Sequence, residues 1–249
     1  MLSSDIKKYN KKYDYSYCMG AFPTFELIQC RPKAADSVYV HSKTSESIRE
    51  KITDECQRAG VPVVFNDRVI EKVRDKESCL LLGIFYKYEM SLTHGENHVV
   101  LVNPSDSGNL GTIMRTCAGF GIKDLAVIEP AVDLFSPKTI RASMGAVFHL
   151  NVQYFTDFRE YEEIFGQERI CYPFMLKGEE QLGDFSHSQE KAFSLVFGNE
   201  ATGLDDSYLE VGRSVRIAHS EDIDSLNLSL ATGIGIYEFT KGADFSRKR

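Results

Sequence analysis

The stretch HVVLVNPSDSGNLGTIMRTCAGFG, residues 98–121, decides how the second half of the chain folds. HVVLV (98–102) is an unbroken apolar run and reads as a buried strand. The polar, glycine-containing loop NPSDSGN (103–109) leads into a helix that ends near Gly121. Strand, loop, helix is the usual ligand position in an open α/β sheet. Loop glycines let backbone approach a ligand closely, and the amides at a helix N-terminus attract anions. The segment holds no GxGxxG and no GxxxxGK[ST], so it predicts neither a nicotinamide dinucleotide site nor a P-loop. Asn109 and Arg115 are its candidate functional residues. A capped helix with an exposed Arg explains the segment alone equally well.

Outward from this stretch, strands alternate with helices. Towards the N-terminus, residues up to about Tyr17 are polar and lysine-rich and read as a short helix or loose arm. A short helix starts at Pro23. Residues 36–41 form a strand, and 44–59 a helix with Ile48, Ile52 and Cys56 on one face, stopped by Gly60. Residues 61–65 form a strand. Asn66 or Asp67 caps a helix from Arg68, and 79–88 form a strand. SLTHGENH (91–98) reads as a linker. Towards the C-terminus, strands are expected at 124–130, near 147–152, and at 169–175, 192–198 and 214–218. Helices are expected near 136–142 and 158–165, and the chain closes on a helix, LNLSLATGIGIYEF (226–239). This alternation predicts an α/β fold with a mostly parallel sheet covered on both faces. Two domains are expected, 1–95 and 96–249.

The 249 residues are 43% apolar and 26% charged, an ordinary globular composition that excludes collagen-like, coiled-coil and wholly disordered chains. No apolar run approaches the roughly 18–20 residues needed to span a bilayer, so no membrane association is expected. The opening residues carry no apolar stretch behind their lysines, and no secretory leader is expected. Six cysteines are scattered without a CxxC pair. They read as reduced thiols of a cytoplasmic protein; neither a disulfide framework nor a zinc knuckle is expected, and no metal is assigned. A net charge of -7 argues against an indiscriminate nucleic-acid binder. The charge is uneven: residues 1–95 hold 15 Lys and Arg against 13 Asp and Glu, whereas residues 96–249 hold 14 against 23. A polyanion would therefore meet the first part, although solvated surface explains the difference nearly as well.

Two further segments can carry chemistry. LVFGNEATGL (195–204) is a strand ending in Gly198 with a carboxylate, Glu200, just beyond it. A polar strand-to-helix turn is the plain reading of it alone. In VRIAHSEDIDSLNLSLATGIGIYEF (215–239), Ser225, Asn227 and Ser229 open the final helix. Capping by Ser225 accounts for only one of them. The small residues Ala231, Gly233 and Gly235 indicate that another backbone packs very close, within the chain or across a dimer.

Taken in order, NLGTIMRTCAGFG (109–121), FGNEATGL (197–204) and SLNLSLATGIGIYE (225–238) resemble motifs 1, 2 and 3 of the SpoU (TrmH-like) branch of the SPOUT RNA methyltransferases. The resemblance runs from about 98 to 240, and RASMGAVFHL (141–150) is similar to the family's segment between motifs 1 and 2. It implies a C-terminal SPOUT-type α/β domain with a trefoil knot. It also implies S-adenosylmethionine as cofactor, methyl transfer to a ribose 2′-oxygen of tRNA or rRNA, and a homodimer with the motif 3 helix near its interface. Carried across by position, Asn109, Arg115, Glu200, Ser225 and Asn227 are the implied catalytic residues. Phe197, Gly198, Asn199, Ile217 and Leu226 are the implied cofactor contacts. The lead-in NPSDSG departs from the Pro-x-Asn of many members, which puts the shape of that loop in question. FPTFELI (22–28), VYVHSKT (38–44) and PVVFNDRVIEKV (62–73) resemble the small α/β substrate-binding domain that precedes many SpoU catalytic domains. That likeness makes Lys33, Lys43, Arg49 and Lys51 candidate RNA contacts. The alternative is a non-catalytic RNA-binding relative of the same fold, which would not bind S-adenosylmethionine.

Overall fold

The computed structural model describes residues 6–184 and 191–243. In chain order the elements are β1 (Tyr15–Met19), α1 (Ala21–Cys30), β2 (Ala35–Val40), α2 (Glu46–Ala59), β3 (Val63–Phe65), α3 (Asp67–Val73) and β4 (Leu81–Tyr86). There follow β5 (His98–Val102), α4 (Ser107–Gly119), β6 (Asp124–Ile128), α5 (Pro137–Ala142) and a 3-10 turn, Ala146–His149; two more 3-10 turns lie at Gly166–Glu168 and Asp206–Glu210. The remainder are β7 (Asn151–Phe155), α6 (Phe158–Phe165), β8 (Arg169–Pro173), β9 (Glu180–Gln181), β10 (Ala192–Phe197), β11 (Val215–Arg216) and α7 (Leu228–Thr240).

The chain divides into two compact units. One comprises residues 1–89 with 133–149, the other 90–132 with 150–249. The expected single boundary near residue 95 is thus displaced, and part of the second half of the sequence belongs to the first unit. The reason is aromatic packing. The rings of Phe135 and Phe148 meet Phe85 of β4 edge-on, at 5.7 and 5.4 Å between centroids. Ser16 donates to the Phe135 carbonyl and Arg31 to that of Phe148. Sequence-local patterning carries no sign of contacts this distant.

The first unit holds a four-stranded sheet in the order β1-β4-β2-β3. Only β2 and β3 pair parallel; β4 runs antiparallel to both its neighbours. The expected arm is instead partly strand β1, whose five residues are all buried, with Tyr15, Tyr17 and Met19 in the core alongside Tyr39, Ile70 and Leu82. Alternating tyrosines hid that strand among lysines. Residues 1–5 of the expected arm lie outside the described residues. Asn66 caps α3, its side chain accepting from the Val69 amide.

The second unit is built on a five-stranded sheet, β7-β6-β5-β10-β8, parallel throughout. β5 and β6 are buried along their whole length, which is why they read as continuous apolar runs rather than alternating ones. The strand expected near 147–152 begins only at Asn151, after the 3-10 turn. β5 and β10 lie side by side with Leu101 opposite Phe197, so the loops after them leave from neighbouring strand ends. From β5 the sheet extends one way through β6 and β7, and from β10 the other way to β8. Ligands favour such a reversal of strand order.

His98 opens β5 and is fully buried. Its Nε2 lies 3.0 Å from the Thr93 carbonyl, which can only accept, so Nδ1 is the acceptor for the Tyr161 hydroxyl at 2.9 Å. Tyr161 in turn takes a hydrogen bond from Ser194 Oγ at 2.6 Å. Burial, followed by the nearby Arg169 guanidinium, pushes the imidazole down to about 4. The unfolded chain takes up this proton near pH 6.5, whereas the folded chain resists it until about pH 4. Stability is therefore complete above pH 6.5 and falls as the pH drops across that window, by about 3 kcal/mol from this group. Urea unfolding at several pH values checks this: His98→Asn should lose less stability between pH 7 and 4 than wild type.

Candidate active site

The two neighbouring loops, 103–106 after β5 and 198–204 after β10, meet over the carboxylate of Glu200. Its Oε2 accepts from the Ser105 amide at 3.0 Å and the Ser105 hydroxyl at 2.8 Å. Its Oε1 accepts from the Asp106 amide at 3.1 Å and from Asn109 Nδ2 at 3.2 Å. Asp106 caps α4 by accepting from the Asn109 amide. A carboxylate at this helix N-terminus meets unpaired amides and the positive end of the helix dipole. Burial pushes the Glu200 carboxyl up, but the hydrogen bonds from Ser105 and Asn109 outweigh it and hold the group below the ordinary carboxylate value. With its oxygens so occupied, Glu200 fixes the two loops to each other and is poorly placed to remove a proton.

That reading predicts a pH signature. The depressed carboxyl adds stability that is present above its unfolded value and lost as pH falls through the lower folded one. Glu200→Gln should melt below wild type at pH 7, and the gap should close under acid conditions. Thermal midpoints measured as a function of pH would show it; a constant gap contradicts it.

The network continues to the third motif. Asn227 Nδ2 donates to Asn109 Oδ1 at 3.2 Å, while Asn227 Oδ1 accepts from the Ser229 and Leu230 amides. Asn227, not Ser225, is therefore the cap of α7. One amide side chain starts the helix and ties it to α4.

Beside this network lies a cavity of about 480 Å³, within the range of small-molecule sites. All five implied cofactor contacts line it: Phe197, Gly198, Asn199, Ile217 and Leu226. Glu200 and Ser225 line it as well, whereas Asn109, Asn227 and Arg115 do not. Asn199 shapes its rim, donating to the Asn103 carbonyl at 2.7 Å and accepting from the Ala201 amide. Gly198 is required by close approach: a Cβ there would sit 2.1 Å from the Gly203 carbonyl carbon and 2.3 Å from the Leu204 nitrogen. Phe174 stacks on Phe197 at 4.4 Å, and both rings crowd Gly235 of α7, where a Cβ would meet them at 2.8 and 3.0 Å. The small residue at 235 thus faces aromatic rings, where the sequence had led us to expect a second backbone.

Arg115 stands apart. It lies exposed on α4 with no hydrogen bond or ion pair among the described residues. The structure gathers Asn109, Glu200 and Asn227 into one network and leaves Arg115 outside it. Sequence reasoning missed Ser105, Asp106 and Phe174. The first two were signalled by short polar residues just before a helix, a capping pattern; Phe174 lies outside every motif.

Of the candidate RNA contacts in the first unit, Lys33 and Lys43 are exposed. Lys51 is exposed too, its ammonium 5.0 Å from the Phe25 ring centroid. Arg49 is engaged within the fold. It donates to the Ser42 and Thr44 carbonyls and lies over the Phe65 ring.

A sequence model of the SpoU rRNA Methylase family matches residues 96–237. An uncharacterized tRNA/rRNA methyltransferase of Synechocystis is 29% identical over 147 residues, which are 58% of this chain and 53% of that protein. The 23S rRNA (guanosine(2553)-2′-O)-methyltransferase of Bacillus subtilis is 28% identical over 133 residues, 53% of each chain. These two relatives are thus matched over about half of their own length. The crystal structure of an AdoMet-bound rRNA methyltransferase from Sinorhizobium meliloti superposes with a TM-score of 0.73 at 24% identity, covering 91% of this chain and 87% of that one. At that identity the likeness speaks for the fold.

Proposed function

The chain belongs to the SpoU rRNA methylase family, and from that premise we propose that it transfers a methyl group from S-adenosylmethionine to a ribose 2′-hydroxyl of tRNA or rRNA. The observation that carries this is the coincidence of the cavity with the motif residues. The about 480 Å³ space is lined by Phe197, Gly198, Asn199, Ile217 and Leu226, and the Asn109–Glu200–Asn227 network adjoins it.

The cavity suits the cofactor on its own evidence. Its aromatic pair and Leu226 offer apolar surface for an adenine ring. The bare backbone at Gly198 leaves donors and acceptors unscreened by a side chain. When bound, the cofactor supplies an electrophilic methyl on a sulfonium, so the leaving group needs no acid. What remains for the chain is to place the ribose and to assist loss of its proton. Asn109 and Asn227 hold the ribose-facing end of α4 and α7 in register. Glu200 locks the loop that carries Asn199 and forms the cavity wall. Arg115 orients the hydroxyl and the adjoining phosphate; its planar fork matches phosphate oxygens, and its high proton affinity makes it a poor free base.

A homodimer follows on the same reading. On α7, Leu230, Ile234 and Tyr237 are exposed to 62%, 41% and 58%, an apolar stripe at four- and three-residue steps. We place the interface on that stripe. Arg115 is on the helix packed against α7 and outside its own chain's cavity, so a second copy brings it to a complete site. The C-terminal part of the fold is read as a trefoil knot. The close backbone passage of Gly178 against Val215, segments distant in sequence, supports that reading. The first unit, residues 1–89 with 133–149, serves as the substrate-binding part, with Lys33, Lys43 and Lys51 facing RNA. The protein acts in the cytoplasm, where its RNA substrates and reduced thiols are at home; no helix among the described residues is long and apolar enough to cross a membrane.

Calorimetric titration with S-adenosylmethionine and its demethylated product tests the reading. The enzyme should bind both and ignore nicotinamide dinucleotides. Absence of binding to either, with RNA present or absent, favours a non-catalytic RNA-binding protein instead.

A further inference from the structure

Helix α1 and the 3-10 turn Ala146–His149 bring three different donor atoms together in the first unit. Glu26 and Cys30 are four residues apart on α1, so their side chains lie one above the other. His149 ends the turn. Its Nε2 is 3.4 Å from Cys30 Sγ and 2.5 Å from Glu26 Oε2, and Cys30 Sγ is 3.9 Å from the same carboxylate oxygen. The packing that presents them is tight. Gly145 is held with φ at +83°, and a Cβ there would strike Glu26 Cβ at 2.7 Å. Arg31 anchors the turn through the Phe148 carbonyl at 3.1 Å.

An ion pair between Glu26 and His149 explains one of these contacts. It does not explain a thiol, an imidazole and a carboxylate within 4.8 Å of one another. Tetrahedral zinc bonds of about 2.0–2.3 Å place neighbouring donors roughly 3.3–3.6 Å apart. The sulfur–nitrogen pair already has that separation. The sulfur–oxygen pair is a few tenths of an ångström wide. The nitrogen–oxygen pair must open, which His149 allows, being 47% exposed at its side chain. The set joins a soft thiolate and a borderline imidazole to a hard carboxylate, and the first two favour zinc-type cations over magnesium or calcium.

We propose that Glu26, Cys30 and His149 form a binding site for a zinc-type divalent cation, with a fourth position open to solvent. The ion would tie the turn at 146–149 to α1. Cation binding requires the thiolate form of Cys30, so the ion displaces the thiol proton. His149 stands 119 residues from Cys30, which is why cysteine spacing gave no hint of a metal. The site is independent of the methyltransferase reading.

Cobalt(II) titration of chelator-treated full-length protein tests this through the sulfur-to-cobalt charge-transfer absorption. Cys30 is half-buried and the other five cysteines are buried, so the band reports on Cys30. A one-to-one band is expected, displaced by zinc but not by excess magnesium, and absent in Cys30→Ser. Glu26→Gln and His149→Ala should each weaken cobalt binding at least tenfold. Circular dichroism on each variant checks folding. No band in wild type, a band surviving Cys30→Ser, or unchanged affinity in both other variants overturns the three-donor site.

Discussion

Arg115→Ala should lower methyl transfer by about a hundred- to ten-thousand-fold, the range typical of losing assistance to proton transfer, while S-adenosylmethionine affinity changes less than about threefold. The split follows from position. Arg115 is exposed, does not line the cavity, and supports none of the hydrogen bonds that shape it. On the proposed mechanism its removal takes away a phosphate- and hydroxyl-orienting fork and leaves the cavity lining intact. Arg115→Lys should recover only part of the rate, because an ammonium lacks the bidentate geometry. Single-turnover rates with saturating RNA, alongside calorimetric affinities, separate the two effects. Near-normal turnover in the alanine variant would remove Arg115 from the mechanism. An equal fall in cofactor affinity would make it part of the cavity.

The second large effect is expected at Gly198. An alanine methyl would lie 2.1 Å from the Gly203 carbonyl carbon and 2.4 Å from its oxygen, far inside van der Waals contact. Backbone cannot yield as a side chain can, so residues 198–204 must shift as a unit. They carry the Glu200 anchor and the Asn199 rim, and the cavity changes shape with them. Overpacking of this kind costs about 1–3 kcal/mol or more, and we expect cofactor affinity to fall at least a hundredfold. Gly119→Ala is the matched control. It lies in α4 with nothing within 4 Å of the added carbon, and should be neutral or slightly stabilising. Melting temperature and S-adenosylmethionine affinity for the two variants decide the point. Wild-type affinity in Gly198→Ala would show that the loop does not form the cofactor wall.

The second half of the chain was legible because its signals are local. Buried parallel strands leave continuous apolar runs, as at 98–102 and 192–197. Helix starts leave short polar caps, although the cap of α7 is Asn227 rather than Ser225, and the cap of α4, Asp106, is one of several short polar residues in its loop. The first unit was less legible. Strand β1 alternates tyrosine with serine and cysteine beside a lysine-rich segment, and only its place next to β4 makes it a strand. The assignment of 133–149 to that unit depends on Phe135 and Phe148 meeting Phe85, contacts between residues some fifty positions or more apart.

The candidate site shows the same division. The motifs point to particular side chains, and of these Phe197, Gly198, Asn199, Ile217 and Leu226 line one cavity. What they do is visible only in three dimensions. Glu200 looks in sequence like an acid or base, yet four hydrogen bonds from Ser105, Asp106 and Asn109 make it a strut. The departure in the lead-in NPSDSG acquires a purpose, since Ser105 supplies two of those bonds. Asn109 and Asn227 pair directly, so motifs 1 and 3 act through each other.

The most direct measurement of the central claim is methyl transfer to RNA with labelled S-adenosylmethionine. Purified protein is incubated with total tRNA and rRNA lacking its modification, and the RNA is digested to nucleosides. Label should appear in 2′-O-methylnucleosides at a defined site, and Arg115→Ala should abolish it without abolishing cofactor binding. Label in a methylated base, or none despite a bound cofactor, would contradict the assignment.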